Sequence, residues 1–447
     1  MQGTTQDGQG SQKILLVPPI FAETLAVFSS YLPDKWYNRY TIYRIDPLPL
    51  IPEIGIDLEK VLLLCTKLIE KANIQMVYAD TKLANMVKAV LVQRFPGLKG
   101  PSLLPMAVAS HKYYLSKLID SSENAMPKEL VNVDLDIFDS SVALLQRLPM
   151  PYMMRSGLGS GNSSYCCFQK DDVIEDLKSL HQDISKILPP LQKFLESNCN
   201  TEKFPELLKP VVLVSSYMNF FEAGKGSIYK KIRVEAAVYE TTVIHWAIAD
   251  SVSLPYGSEQ PNYSMSGLFM PTNLSKFEQR CVYNRFDDDL KNLIKTGVNN
   301  TFVYASYLVF NDGGLELLTL DTSPQFRCAQ MYSYALSNGN NIEAAFQLSR
   351  GIKPLSPTLS GKCSLMHDLT VAFVEGQISE LIDFDKASKH SSVALKYRST
   401  HEVLLAPAQT SLSLGYVTVS GESFDACFQQ INDIRKQIIK HPQLVPL

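Results

Sequence analysis

Apolar positions along this chain change rhythm several times. Over the first hundred residues short apolar runs alternate with helical stripes. Runs at 13–17, 40–45 and 75–79 predict buried strands. Between and after them lie stripes of helical spacing at 22–31, 58–72 and 83–95, the second carrying Val61, Leu64, Cys65, Leu68 and Ile69. Strands alternating with helices predict a parallel sheet covered on both faces. Further on, 109–119 predicts a helix carrying Lys112 and Lys117. An apolar strand ends at Arg155 and gives way to a loop rich in Gly and Ser, then to another strand. Residues 171–194 predict a long helix or helix pair, interrupted at Pro189-Pro190.

The second half reads as strands and hairpins. An apolar run opens the segment 210–218, and 232–239 with 242–250 predict an antiparallel pair. Glu235 and His245 sit on that pair, and a lone strand histidine is expected to be packed rather than catalytic. Residues 271–297 are helical, with Asp287, Asp288 and Asp289 expected to face solvent. The run 302–310, the turn Asn311-Asp312-Gly313-Gly314 and the run 315–321 predict a hairpin, because such turn residues reach positive φ cheaply. A helix begins near Asn338 and ends at Gly351, with Pro354 beyond it. Short strands follow at 369–374, 376–382, 394–397, 402–405 and 415–419. The amphipathic helix at 424–439 lines up Cys427, Ile431, Ile434 and Ile438.

At 447 residues the chain is too long for one core, so two to four subdomains are expected. A net charge of −3 gives no electrostatic footprint for nucleic acid. The basic set Lys225, Lys230, Lys231 and Arg233 is expected on a solvated strand face or loop. The eight cysteines contain no C-x-x-C pair, which argues against a zinc site and fits reduced thiols. No G-x-G-x-x-G appears, which disfavours a Rossmann dinucleotide site. Residues 1–12 read as a disordered tail without the features of a signal peptide, and no apolar run reaches the ~20 residues of a membrane span. A cytoplasmic location is the expectation, although a trimmed secreted chain would look the same.

The hairpin at 301–327, late in a long α/β chain, resembles the metal-holding hairpin of the ATP-grasp ligases. That family joins carboxylates to amines through an acyl-phosphate. The resemblance runs in order from about Lys13 to Ile439 and is nearest the carnosine-synthase-like branch, which ligates amino acids at the expense of ATP. It implies an α/β, ATP-grasp-like fold: an N-terminal parallel α/β domain, then two α+β lobes and a C-terminal β-rich segment. The implied boundaries are a tail at 1–12, a preceding domain at 13–100, a first lobe at 101–210, a second lobe at 211–355 and a C-terminal segment at 356–447.

By the same resemblance, Lys112 and Arg155 stand where phosphate-contacting lysines are usual, with His111 in place of an Asp. Gly157, Gly159, Ser160 and Gly161 form the phosphate-side loop. Ser215, Ser216, Tyr217 and Met218 form the adenine-side linker, with Ser215 where a Glu is expected. The metal-holding Glu, Glu and Asn fall on Ser306, Thr319 and Asp321. A register shifted by two instead places Asp321, Ser323 and Gln325 on the second strand's Glu, Asn and following Arg. Neither register restores two carboxylates and the Asn, and an Mg²⁺ bound through phosphates still wants one or two carboxylates. The expectation is therefore a catalytically silent protein that holds a small, flat or apolar molecule, such as a pigment, in the interlobe cleft. The alternative is a divergent ligase, with ATP and Mg²⁺ as cofactors only in that case. A small molecule is the expected partner, and a homo-oligomer or a storage role stays open.

Overall fold

The computed structural model describes all residues except 1–11, 19–39, 48, 52–54, 120–127, 135–137, 159–163, 168, 217–227, 253–266, 323–325, 373–375, 396–402, 405–410 and 441–447. The expected tail and the expected helix at 22–31 lie outside the described residues.

The N-terminal apolar runs form a parallel three-stranded sheet from β1 (Gln12–Leu16), β2 (Tyr40–Arg44) and β3 (Met76–Tyr78), in the order β2-β1-β3. Helices α1 (Leu58–Ala72) and α2 (Lys82–Arg94) pack on it. Each begins at a side chain that accepts a free backbone N–H: Asp57 from Lys60, and Thr81 from Ala84. Val61, Leu62 and Cys65 of α1 meet Val87 and Leu91 of α2 over Leu15 and Val77. Parallel strands joined through helices are what the alternating rhythm requires.

The expected helix over 109–119 is instead two: α3 (Leu103–Ser110) and α4 (Lys112–Ile119). His111 breaks them, with extended backbone at φ −86° and ψ 113°. The break frees the Lys112 N–H to donate to the Gly157 carbonyl at 2.8 Å. A tertiary hydrogen bond has thus replaced a helical one, which periodicity cannot show.

An antiparallel sheet follows, built from β4 (Lys128–Asn132), β5 (Tyr152–Ser156), β6 (Ser164–Cys167) and β7 (Val211–Ser216) in the order β4-β7-β5-β6. Strand β7 opens the segment expected as the second lobe, yet it pairs with β4 and β5. Helix α5 (Val173–Asn198) covers this sheet and runs unbroken through Pro189 and Pro190, contrary to the expected interruption. Proline's fixed φ suits a helix, and only the hydrogen bonds back to the preceding turn are lost. Leu177, Leu180, Ile184 and Leu188 before the prolines, and Leu191 after them, keep the apolar stripe buried, and that burial carries the helix across the gap.

The second half builds one eight-stranded antiparallel sheet. Its strands are β8 (Ile228–Tyr239), β9 (Thr242–Val252), β10 (Gly267–Met270), β11 (Thr301–Phe310), β12 (Leu315–Asp321), β13 (Cys363–Ala372), β14 (Val393–Leu395) and β15 (Ser411–Gly421). The order is β12-β11-β8-β9-β10-β13-β15-β14, so strands from beyond residue 356 continue the same sheet. The expected strand at 376–382 is a two-residue strand, Gly376–Gln377, followed by a helical turn, Ile378–Leu381. Helices α6 (Lys276–Lys295), α7 (Ala329–Ala335), α8 (Asn341–Ser349) and α9 (Phe424–Ile438) pack on its faces. The hairpin turn has the predicted chemistry: Gly313 sits at φ 84°, the Phe310 N–H donates to the Gly314 carbonyl at 2.9 Å, and the Phe310 carbonyl accepts from the Gly313 N–H at 2.9 Å.

Candidate functional site

The site rests on three neighbouring strands, β8, β11 and β12. Successive side chains of a strand point to opposite faces. One face carries Ile232, Val234, Val303, Ala305, Tyr307 and Leu320, which pack on Val282, Phe286, Leu290 and Leu293 of α6. The other carries Arg233 and Glu235 of β8, Tyr304 and Ser306 of β11, and Thr319 and Asp321 of β12. The ladder sets these in two cross-strand rows. Arg233 pairs with Ser306, and Ser306 with Thr319; Glu235 pairs with Tyr304, and Tyr304 with Asp321.

Two expectations fail here for the same reason. Arg233, expected on a solvated face, is 1% exposed. Asp289, expected in a solvated acidic run, is also 1% exposed. Its Oδ2 accepts from the Tyr307 hydroxyl at 2.7 Å and from Arg285 Nε at 3.3 Å. Charge runs give the average of a segment, whereas burial is decided by which side chain faces the partner element. His245 behaves as expected: it stacks on Tyr283 at 4.0 Å and pairs with Asp287 at 2.8 Å.

On the polar face, the Arg233 guanidinium lies over the Tyr304 ring, 3.9 Å from its centroid. None of its three nitrogens has a hydrogen-bond partner among the described residues. Glu235 is fully buried and accepts from the Tyr332 hydroxyl, while Asn341 Nδ2 reaches its other oxygen at 3.5 Å. Burial, then the Glu235 charge, holds the Tyr332 hydroxyl well above its usual range. Burial, then Asp321, raises Tyr304 as well. These phenols stay protonated at neutral pH and act as donors.

The facing side is basic. Lys112 opens α4, and Lys82 opens α2, with its ammonium donating to the Ser110 carbonyl at 3.3 Å. Burial, then the Lys82 and Arg155 charges, push the Lys112 ammonium down to about 7, against an opposing pull from Asp321. Lys82, Lys112, Arg155 and Asp321 therefore lie within electrostatic reach of one another. Arg155 is half-buried on β5, and its Nε donates to Met153 Sδ at 2.7 Å. The hairpin is tied to this side where Thr322 Oγ1 meets Met106 Sδ of α3 at 3.4 Å.

Gly157 has a definite packing role. A Cβ there would stand 2.6 Å from His111 Nε2 and 3.0 Å from Val211 Cγ2, so a side chain would force β5 away from the α3–α4 break. Burial, then Lys82, pushes His111 down to about 3, so the ring is neutral where Lys112 starts. Ser215 pairs with Met153 at the end of β7, and Ser216 with Tyr152. Gly159, Ser160, Gly161, Tyr217 and Met218 lie outside the described residues.

Of the sequence-named residues, Arg155 and Asp321 lie within electrostatic reach of Lys112, and Ser306 and Thr319 share the row next to that of Asp321. Sequence reading missed Lys82, Tyr304, Tyr332 and Arg327. A lysine at a helix start looks solvated, and only the cap at Thr81 marked the place. Arg327, whose Nε has no partner among the described residues, acts on Tyr304. The residues present do not fit the divalent cation expected of such a hairpin. Among the described residues no group of three or more His, Cys, Asp or Glu could hold a metal ion. Only Asp321 supplies a carboxylate at the three positions, and a buried guanidinium occupies their row.

No family model matches the chain, and no curated protein matches it by sequence. Solved structures do match by shape. An L-amino acid ligase from Bacillus licheniformis superposes with a TM-score of 0.64 at 11% identity, over 97% of this chain and 99% of that one. A biotin carboxylase from Campylobacter jejuni, solved with β-γ-ATP, gives 0.60 at 13% identity over 96% and 92%. An N5-carboxyaminoimidazole synthase from Aspergillus clavatus, solved with ADP and 5-aminoimidazole ribonucleotide, gives 0.59 at 10% identity over 95% and 99%. No helix among the described residues is long and apolar enough to cross a membrane. With its sheets, helices and hairpin laid out as in these ligases over nearly its whole length, the chain has the ATP-grasp fold.

Proposed function

We propose that this chain is silent as a ligase and holds a small molecule between the four-stranded sheet and the β11–β12 hairpin. The observation that carries the reading is the cross-strand row Arg233–Ser306–Thr319, which offers two hydroxyls and a cation where an ATP-grasp hairpin needs acids. Phosphoryl transfer works by positioning and by neutralising charge with metal ions. With Asp321 as the remaining acid, the metal-borne part of that work has no seat. The aromatic residues Tyr304 and Tyr332 beside the row suit a ligand with a flat part.

The alternative is a divergent ATP- and Mg²⁺-dependent carboxylate–amine ligase of the carnosine-synthase-like kind. What supports it is that Arg155 and Asp321 lie within electrostatic reach of Lys112. Phosphate release with Mg²⁺-ATP and a panel of amino acids separates the two. The silent reading expects no amino-acid-stimulated release, whereas turnover approaching the usual ~10 s⁻¹ would replace it with the ligase. Native mass spectrometry and an absorption spectrum of protein from its natural source would then show what the site holds.

A further inference from the structure

Loss of acids alone would leave the row of Ser306 and Thr319 neutral, yet Arg233 sets a positive charge in it, with Glu235 and Asp321 in the neighbouring row. Arg233 is 1% exposed and lies in one ladder row with Ser306 and Thr319. A guanidinium carries five N–H donors and stays charged at any ordinary pH. Here Nε, Nη1 and Nη2 have no hydrogen-bond partner among the described residues. Tyr304 supplies a ring face but no acceptor to those donors. Glu235, the acid two residues along the same face, accepts instead from Tyr332 and Asn341. Leaving a buried, charged donor unmet is costly, so an acceptor that completes it would bind with a large gain.

The surrounding charges narrow the chemistry of that acceptor. Lys82, Arg155 and Asp321 all act on Lys112, and Asp321 also acts on Tyr304, which lies under the Arg233 guanidinium. A divalent cation set in the row beside Arg233 would meet a fixed like charge at short range. An anion would meet attraction from both sides, and a planar fork matches the two oxygens of a phosphate or a carboxylate.

We propose that Arg233 takes over the role of the hairpin's metal ion, so that the site accepts a small molecule with a phosphate or carboxylate group without any divalent cation. The proposal rests on the silent reading above and adds the charge of the ligand.

The test titrates the full chain in EDTA with inorganic pyrophosphate and, separately, with citrate, following both calorimetric heat and thermal unfolding. The expected result is binding of at least one probe in EDTA, with no strengthening by excess Mg²⁺. Arg233→Met should weaken it by about tenfold or more, and Arg233→Lys should restore only part, because an ammonium cannot grip two oxygens at once. Circular dichroism checks that these variants fold. If they do not, Arg155→Met, at a half-buried position, should still weaken the same binding by several-fold, on the order expected for a charged hydrogen bond. Which probe binds tells phosphate from carboxylate. Binding of neither probe with or without Mg²⁺ would overturn the anion proposal and leave the silent reading standing. Binding that requires Mg²⁺ would overturn both. Binding untouched by Arg233→Met in a folded variant would overturn the role given to Arg233.

Discussion

The two faces of β8, β11 and β12 differ in what they demand of the sequence. The α6 side is filled by Val234, Val303, Ala305, Tyr307 and Phe286, all nearly inaccessible to solvent. Its only requirements are shape and apolarity, and alternation along each strand meets them. The opposite side holds Arg233, Glu235, Tyr304, Ser306, Thr319 and Asp321, whose identities no packing rule dictates. Because the pleat separates the faces, one can change its chemistry while the other keeps the fold. On the proposed reading, this separation lets an ATP-grasp fold persist while the metal-holding positions change.

The comparison breaks most visibly on the apolar side. Phe286→Ala should lower stability by about 3–5 kcal/mol, read by urea unfolding, because it opens a cavity between α6 and the sheet. A loss well under that would mean α6 does not hold the sheet. On the polar side the expected effect depends on charge balance. Arg233→Met removes a guanidinium whose donors are unmet but also the positive charge that acts on Glu235, so its cost should stay below that of Phe286→Ala, at about 1–2 kcal/mol. Adding Glu235→Gln should recover most of it, and strict additivity in the double-mutant cycle would show that the two charges do not sense each other.

Further effects sharpen the contrast. Tyr307→Phe removes the 2.7 Å bond to Asp289 and should cost about 1–3 kcal/mol, since Arg285 remains as its partner. The mildest prediction concerns pH. The Lys112 ammonium, pushed down to about 7 by burial and then by Lys82 and Arg155, gains its proton as pH falls through that value. Affinity for an anionic probe should therefore rise from about pH 8 to about pH 6, and Lys112→Met should flatten the profile. The sign for stability is opposite. The unfolded chain holds the Lys112 proton up to its ordinary range, so between about pH 7 and pH 10 the wild type should gain stability with pH relative to Lys112→Met. A profile unchanged by the substitution would place the titration elsewhere.

Much of the framework was legible in the chain. The hairpin with its Asp312-Gly313 turn, the helix expected near Asn338 and its Gly351 stop all depend on local chemistry, and all are present, the helix capped at Asn340. What stayed hidden depends on distant partners. The break at His111 goes with Gly157, just past the end of β5, whose carbonyl accepts from the Lys112 N–H. Asp289 and Arg233 are buried because of what faces them across an element, and a lysine such as Lys82 differs from a solvated one only through Lys112 and Ser110. The candidate site was half readable, since Lys112, Arg155 and Asp321 could be named in order along the chain. Their mutual charge balance, and the guanidinium among them, required the sheet register.

The central claim is that a fixed cation has displaced a mobile one on this hairpin. Crystals soaked with Mn²⁺ and ATP, measured for anomalous scattering, address it directly. The account predicts no manganese peak beside Ser306, Thr319 and Asp321, with any bound phosphate turned toward Arg233. A manganese peak seated on Asp321 with nucleotide next to it would contradict the account and make the chain a metal-using ligase.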